Sequence, residues 1–357
     1  MMFEQLGFET LTPGQATVWL ALMLGFVFGI AGQRTRFCFR RGVAGAPGER
    51  RAALGVWLTA LGVAVLGTQI AVAAGLISFA DHRFMNSDLP FAAILVGGPL
   101  FGAGMVLTRG CISRLTVLGG SGDLRALTVL LVFAVVAHAT IKGVLTPLRT
   151  GLGAYTVDLG DSISLAALPG GGLVWGLVLG AALLGFGLTS GNRVGMLVLA
   201  AVIGLLVPAA WVGTGFVLFD DFDPVAMESL SFTSPAADTI FFLLASTSIP
   251  AGFGAGLFAG VLLGALGTSL ATREFRWESF ENPRQTGRYA AGAALMGVGG
   301  VLAGGCTVGA GLSGVPTLSL AAFLAIGSIA VGGVVTNRLL SGAAAGRPVT
   351  AGAVPAE

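Results

Sequence analysis

Long apolar stretches separated by short polar segments make up most of this chain. Nine of them approach the roughly 20 residues that an α-helix needs to cross about 30 Å of hydrocarbon. They cover residues 15–33, 52–77, 91–108, 125–147, 171–189, 194–219, 240–271, 288–304 and 317–340. The seventh contains Pro250, so we expect a short helix there, followed by a span that begins near Ala251. The pattern predicts an all-α polytopic membrane protein, with residues 1–357 forming one membrane domain.

Composition supports lipid as the solvent. Hydrophobic residues make up 55% of the chain and charged residues only 10%, whereas soluble domains carry about 25% charged residues. Glycine is abundant, at 58 of 357 residues, which allows membrane helices to approach closely. The net charge of +2 is too small to indicate nucleic-acid binding. We expect no cleaved signal peptide, because the N-terminal residues lack a basic segment and a small-residue cleavage site.

Charge in the connecting segments predicts the orientation. Arginines cluster after the first, third, fifth, seventh and ninth stretches, whereas most acidic residues follow the second, fourth and sixth. Lys and Arg concentrate on the cytoplasmic side of membrane proteins. We therefore expect a bacterial inner-membrane protein with a periplasmic N-terminus and a cytoplasmic C-terminus.

An internal repeat is visible around two of the three cysteines. GGPLFGAGMVLTRGC ends at Cys111 and AALMGVGGVLAGGC ends at Cys306, an offset of 195 residues. By the predicted topology the two copies have opposite orientation, which is a recurrent transporter architecture with a pseudo-two-fold axis. We predict a first repeat over 15–150, a connecting helix over 171–190, a second repeat over 194–340 and a flexible tail over 341–357.

The segments that begin at these cysteines, CISRLTVLGGSG and CTVGAGLSGVP, are too short to span a membrane. We expect them to be short re-entrant helices whose free N–H groups form an anion-accepting neck. Cys38, in QRTRFCFRRG, has no cysteine at the same offset, which falls on Thr233. The candidate substrate pathway comprises Cys38, Cys111, Cys306, Arg36, Arg109, Gly110, Gly305 and Thr307.

The chemistry of the spans favours an anion. Their interiors contain almost no carboxylates, which carriers of cations and protons usually place there. Three separated cysteines without a CxxC motif suit weak S–H donors better than a redox pair. We find no sequence motif for ATP, dinucleotide or zinc binding, and therefore expect a non-enzymatic protein without a metal or cofactor. Cysteine also serves as a small buried hydrophobe, which is the plain structural alternative.

At RFCFRRG, TRGCISRLTVLGG and AGGCTVGAGLSG the chain resembles the YeeE/YedE family of bacterial sulfur-transport membrane proteins. The resemblance implies an hourglass-shaped helical protein that takes up thiosulfate, with Cys38, Cys111 and Cys306 as its functional cysteines. It also implies a cytoplasmic TusA-like sulfurtransferase as a partner. We expect this to be a separate protein, because no such domain follows the last span.

Four alternatives stay open at this point. The chain could carry another sulfur or selenium compound, since relatives in the family are linked to such solutes. A membrane thiol-disulfide oxidoreductase would need cysteine pairs within disulfide reach. A carrier of soft metals such as Cu(I) would use the thiolates as ligands, and a purely structural role would use none of this chemistry. For transport we expect the anion to meet Cys306 first, then Cys111, and to leave near Cys38.

Overall fold

The computed structural model of this chain describes residues 11–160, 162–220 and 222–345. The first half of this part contains α1 (Pro13–Thr35), α2 (Phe39–Ala44), α3 (Pro47–Ala73), α4 (Phe91–Leu107), α5 (Ile112–Gly120), α6 (Leu124–Lys142) and α7 (Thr146–Gly153). The second half contains α8 (Gly171–Leu188), α9 (Val194–Val212), α10 (Ser234–Leu244), α11 (Phe253–Ala271), α12 (Pro283–Leu302) and α13 (Leu320–Ala345). A π-helical segment, Thr307–Gly314, lies between the last two helices.

Within the described residues, nine helical segments are long and apolar enough to cross a membrane, as the sequence predicts. The interrupted seventh stretch is confirmed, since α10 ends at Leu244 and the span itself, α11, begins at Phe253. Large apolar side chains such as Trp19, Met23 and Val178 are exposed. An apolar exterior of this extent fits lipid, and the protein is a multi-pass membrane protein.

Helices from the two halves of the chain pack against each other in matched pairs. α1 packs on α11 while α9 packs on α3, and α4 packs on α13 while α12 packs on α6. α4 and α12 also contact each other, as do α1 and α9. Backbones approach closely at glycines of α11, where a Cβ atom at Gly260 would collide with the carbonyl of Leu22. Small residues are what allow such close contacts between membrane helices.

Two short strands join the loops on the side of the membrane where the acidic segments lie. β1 (Asp88–Leu89) pairs antiparallel with β2 (Val157–Asp158). The predicted boundaries of the two repeats remain predictions. The predicted tail lies outside the described residues from 346 onward, and α13 continues to Ala345.

Candidate functional site

The two cysteine segments follow the same backbone path. After α4, Arg109 adopts a left-handed conformation with φ 60°, and Cys111 is the N-cap of α5. After α12, Gly304 adopts φ 74°, and Cys306 is the N-cap of the π-helical segment. The left-handed residue ends each long helix, and the N-cap of a short helical segment follows two residues later. The short elements predicted after both cysteines are therefore present.

Two glycines predicted to line the pathway allow these tight connections. Gly110 and Gly305 directly precede the cysteines, and both are buried. A Cβ atom at Gly305 would lie 2.8 Å from the backbone nitrogen of Ala310, closer than real Cβ contacts allow. A Cβ atom at Gly110 would meet the Leu115 side chain at 3.2 Å. The glycines thus let the first turn of each short element fold back over the cysteine. Thr307, also a predicted pathway residue, is buried next to Cys306.

Cys38 and Cys111 form a close thiol pair. Their Sγ atoms are 3.8 Å apart, although Cys38 lies 73 residues earlier in the chain. Cys111 Sγ also lies 3.3 Å from the hydroxyl oxygen of Ser113. Both cysteines are free and buried. The expectation of three separated thiols is wrong for this pair, because the short helix α2 places its N-cap, Cys38, directly beside the N-cap of α5.

The arginines near the thiol pair differ in their exposure. Arg36 and Arg109, both predicted pathway residues, are exposed. Arg114 is half-buried, and its guanidinium donates hydrogen bonds to the carbonyl oxygen of Gly32 at 3.2 Å and to Oε1 of Gln33 at 3.5 Å. Of these three cations, Arg114 is therefore the one held in a fixed position on the first turn of α5.

The segment that follows Cys306 lines a large open cavity. Cys306 Sγ accepts a hydrogen bond from the backbone N–H of Gly309 at 3.3 Å, which leaves the S–H proton free to donate to another group. The cavity has a volume of about 1490 Å³, and Gly309, Ser313 and Thr317 of the segment after Cys306 form part of its lining. We call this cavity the vestibule. It is large enough for a hydrated small anion to reach the Cys306 segment.

Charged and titratable side chains line the vestibule, and none of them is among the site residues predicted from the sequence. Burial lowers the pKa of His82 to about 4, so this ring is neutral at pH 7. Burial also lowers the pKa of Arg83, while the negative charge of Glu228 opposes this shift. Burial raises the pKa of Glu228. His82 and Arg83 belong to a loop far from the cysteine motifs in sequence, so no motif could have pointed to them.

An aromatic cluster connects the Cys38 segment to its counterpart in the second half of the chain. The ring of Phe28 lies 5.9 Å from that of Phe37 and 5.6 Å from that of Phe232, measured between centroids. Phe232 precedes Thr233, the residue at the repeat offset from Cys38. Thr233 is 2% exposed, and its hydroxyl has no hydrogen-bond partner among the described residues.

These features define a class of protein: a multi-pass α-helical membrane protein with buried free thiols and a large open cavity. Comparison with known families gives the particular assignment. The chain belongs to the family described as Sulphur transport, whose model matches residues 34–335. The resemblance carried by the cysteine motifs is thereby confirmed. Within the described residues there is no group of three His, Cys, Asp or Glu side chains that could hold a metal ion.

Two curated relatives match over most of the chain. A protein from Spirochaeta thermophila named Thiosulfate transporter TsuA is 27% identical over 337 residues, which cover 86% of this chain and 94% of the relative. A protein of the same name from Escherichia coli is 26% identical over 316 residues, which cover 82% of this chain and 85% of that relative.

Proposed function

We propose that this protein carries thiosulfate across the bacterial inner membrane, from the vestibule to the cytoplasm, without converting it chemically. The observation that carries the proposal is the arrangement of thiols. Cys306 Sγ accepts a hydrogen bond from Gly309, which lines the vestibule, and the Cys38–Cys111 pair lies beside Arg114. The names of both curated relatives support thiosulfate as the solute.

In the proposed pathway the anion exchanges water for weak protein donors step by step. It passes from the vestibule to the free S–H of Cys306, and then to Cys111 and Cys38. S–H groups are weak donors, and a series of weak sites lets an ion enter without being trapped. Arg114 adds a fixed positive charge near the final two thiols. Arg36, Arg109 and Thr307 complete the proposed set of pathway residues around these thiols.

The inner thiol pair also acts as a barrier in this proposal. Sulfur atoms 3.8 Å apart are in van der Waals contact and leave no room for an ion between them. Cys38 and Cys111 must therefore separate when the anion passes. The open vestibule on the other side makes this conformation the outward-facing state of the proposed transport cycle.

We place the vestibule on the periplasmic side and the arginine-rich loops in the cytoplasm. Arginine clustering after alternate spans supports this orientation. We also propose that the two halves are inverted repeats. Support comes from the matched pairing of α1 with α11 and of α9 with α3, and from the common backbone path at Arg109 and Gly304. The hourglass shape implied by the family resemblance belongs to the same proposal.

A TusA-like sulfurtransferase is proposed as the recipient of the anion on the cytoplasmic side. The family resemblance supports this partner, and exposed arginines such as Arg34 and Arg36 supply positive charge on that surface. Such charge would favour association with an acidic partner.

The experiment that tests the proposal is uptake of radiolabelled thiosulfate into proteoliposomes. We expect Cys111→Ala and Cys306→Ala each to reduce uptake by at least about tenfold, because each removes one step of a series of donors. Ser269→Ala is the matched control. Its buried hydroxyl binds only the Leu266 carbonyl of its own helix, so uptake should be unchanged. Full uptake by both cysteine variants would overturn the proposed pathway, and competition by sulfate, sulfite and selenite would define the solute.

The 3.8 Å thiol pair also favours a second candidate function, a membrane thiol-disulfide oxidoreductase. The two functions differ in the redox state of the thiols during turnover. A transporter moves thiosulfate with both thiols reduced throughout, whereas an oxidoreductase cycles the pair through a disulfide. Alkylation and mass spectrometry of protein quenched during uptake would distinguish them.

A further inference from the structure

Trp57 lies between the segments that carry the inner and outer cysteines. It belongs to α3 and is only 3% exposed. One side of its indole packs on Phe39, the residue after Cys38, with ring centroids 4.7 Å apart. Its Cζ2 atom would lie 3.1 Å from a Cβ atom at Gly311, five residues after Cys306. A single side chain thus touches both segments of the proposed pathway.

The edge of the indole that faces the Cys306 segment is its polar edge. In the indole ring Cζ2 and Nε1 are bonded to the same carbon, Cε2, so the N–H group lies on the side of the ring near Gly311. Among the described residues this N–H has no hydrogen-bond acceptor. Trp175 provides the contrast, since its Nε1 donates to the carbonyl of Pro169 at 3.1 Å.

An indole N–H can donate but cannot accept a hydrogen bond. Leaving a buried donor unpaired is unfavourable, and nearly all such groups in folded proteins have a partner. A phenylalanine would fill much of the same space without that penalty. We therefore expect a bound group to accept the hydrogen bond of this N–H. An anion such as thiosulfate offers acceptors only.

We propose that the Trp57 indole N–H binds an oxygen atom of the transported anion between Cys306 and the Cys38–Cys111 pair. This inference rests on the proposed function. The donor is neutral, so it orients the anion without adding a charge that would hold it too tightly to leave. Trp57 thus places a hydrogen-bond donor that is stronger than a thiol between Cys306 and the Cys38–Cys111 pair.

The first test is Trp57→Phe, which keeps an aromatic ring and removes the N–H. We expect the thiosulfate concentration for half-maximal uptake to rise about tenfold, since a hydrogen bond to a charged group is lost. Trp175→Phe is the matched control and should leave uptake unchanged. A thermal unfolding midpoint close to that of the parent protein would show that Trp57→Phe still folds.

The second test does not depend on transport. The protein with ¹⁵N-labelled tryptophan is placed in lipid nanodiscs, and the indole signal that disappears in Trp57→Phe is followed during titration with sodium thiosulfate. We expect that signal to shift, while the Trp175 signal stays. If calorimetry shows that thiosulfate binds but the Trp57 signal does not move, the inference is wrong. If thiosulfate does not bind at all, the proposed function fails first, and the inference fails with it.

Discussion

The segments after Cys111 and Cys306 share a backbone path but differ in chemistry. Cys111 lies against a second thiol, that of Cys38, with Arg114 nearby. Cys306 has a backbone N–H as its partner, and the segment that follows it lines the vestibule. At the offset of 195 residues from Cys38 lies Thr233, whose hydroxyl is unpaired within the described residues. The same backbone path therefore holds a contacting thiol pair at Cys111 and a single thiol at Cys306.

The secondary structure of the two segments differs as well. α5 is a regular α-helix, whereas the segment after Cys306 is π-helical and contains three glycines, at positions 309, 311 and 314. π-Helical turns are uncommon and occur frequently at functional sites. In this protein the glycines bring the backbone close to Ser231 and Trp57. The comparison indicates that the segment after Cys306 is built for close backbone approach, whereas the segment after Cys111 holds a contacting thiol pair.

Oxidation should show the clearest difference in chemistry between the thiols of the two segments. The sulfur atoms of Cys38 and Cys111 are 3.8 Å apart, and a disulfide would bring them to about 2.0 Å. We expect diamide to link Cys38 to Cys111, to leave Cys306 free for alkylation, and to reduce uptake at least about tenfold by locking the barrier. Dithiothreitol should restore uptake, and Cys38→Ser should not form the link. Alkylation of all three thiols after diamide treatment would contradict the expected pairing.

Thr233→Cys tests whether the segment around Cys306 has the same arrangement as the segment around Cys111. In a Cys38→Ser background, inverted repeats would place the introduced cysteine beside Cys306, as Cys38 lies beside Cys111. We expect mild oxidation to join the introduced cysteine to Cys306. Ser229→Cys, another buried position in the same loop, serves as the control and should not link. Failure of Thr233→Cys to link with Cys306 would count against the repeat.

Arg83→Gln should weaken capture of the anion at the vestibule. We expect the thiosulfate concentration for half-maximal uptake to rise about fivefold, with a smaller salt dependence, because a steering charge is removed. The maximal rate should change little. Lys142→Gln removes the same charge outside the vestibule lining and should have no comparable effect. Equal effects of the two variants would show that Arg83 has no special role.

The lowered pKa of His82 predicts that the stability of the protein depends on pH. Its pKa of about 4 lies below the ordinary value of 6.5, so the folded protein favours the neutral ring. The contribution of the neutral His82 ring to the free energy of unfolding is complete above pH 6.5. It is lost as the pH falls from 6.5 to about 4. We expect the thermal unfolding midpoint to fall more between pH 7 and pH 5 in the parent protein than in His82→Gln. Parallel curves for the two proteins would rule out this contribution.

Arg109→Gly should have the smallest effect. Arg109 has φ 60°, and its counterpart Gly304 has φ 74°. Replacing arginine by glycine relieves a left-handed conformation, which is worth about 1 kcal/mol. We expect a slightly higher unfolding midpoint and a loss of uptake of only about twofold, because Arg109 is an exposed member of the proposed pathway and exposed charges contribute little. Gly304→Ala should lower the midpoint, and unchanged uptake in Arg109→Gly would remove this cation from the proposed pathway.

Local signals were sufficient for much of the architecture. The nine spans, the interruption near Pro250 and the two short segments after Cys111 and Cys306 all follow from runs of apolar, proline and glycine residues. The cysteine motifs also led to the family, and the match over residues 34–335 confirms it. Such features depend on a residue and its near neighbours, so the linear chain contains them.

Side-chain neighbours from distant segments could not be predicted in this way. From the sequence alone Cys38 was expected to be an isolated thiol. No motif pointed to Arg83, His82 or Trp57.

By itself, then, the sequence determined that the chain lies in a membrane, where it crosses, and which family it belongs to, because the energy of transfer into lipid depends on local composition. Only the tertiary structure decided that Cys38 contacts Cys111, that the segment after Cys306 lines the vestibule, and that Trp57 touches both segments. The physical reason is that lipid makes all apolar helix faces nearly equivalent. The choice of neighbours then depends on close packing at small residues, which acts between segments far apart in the chain.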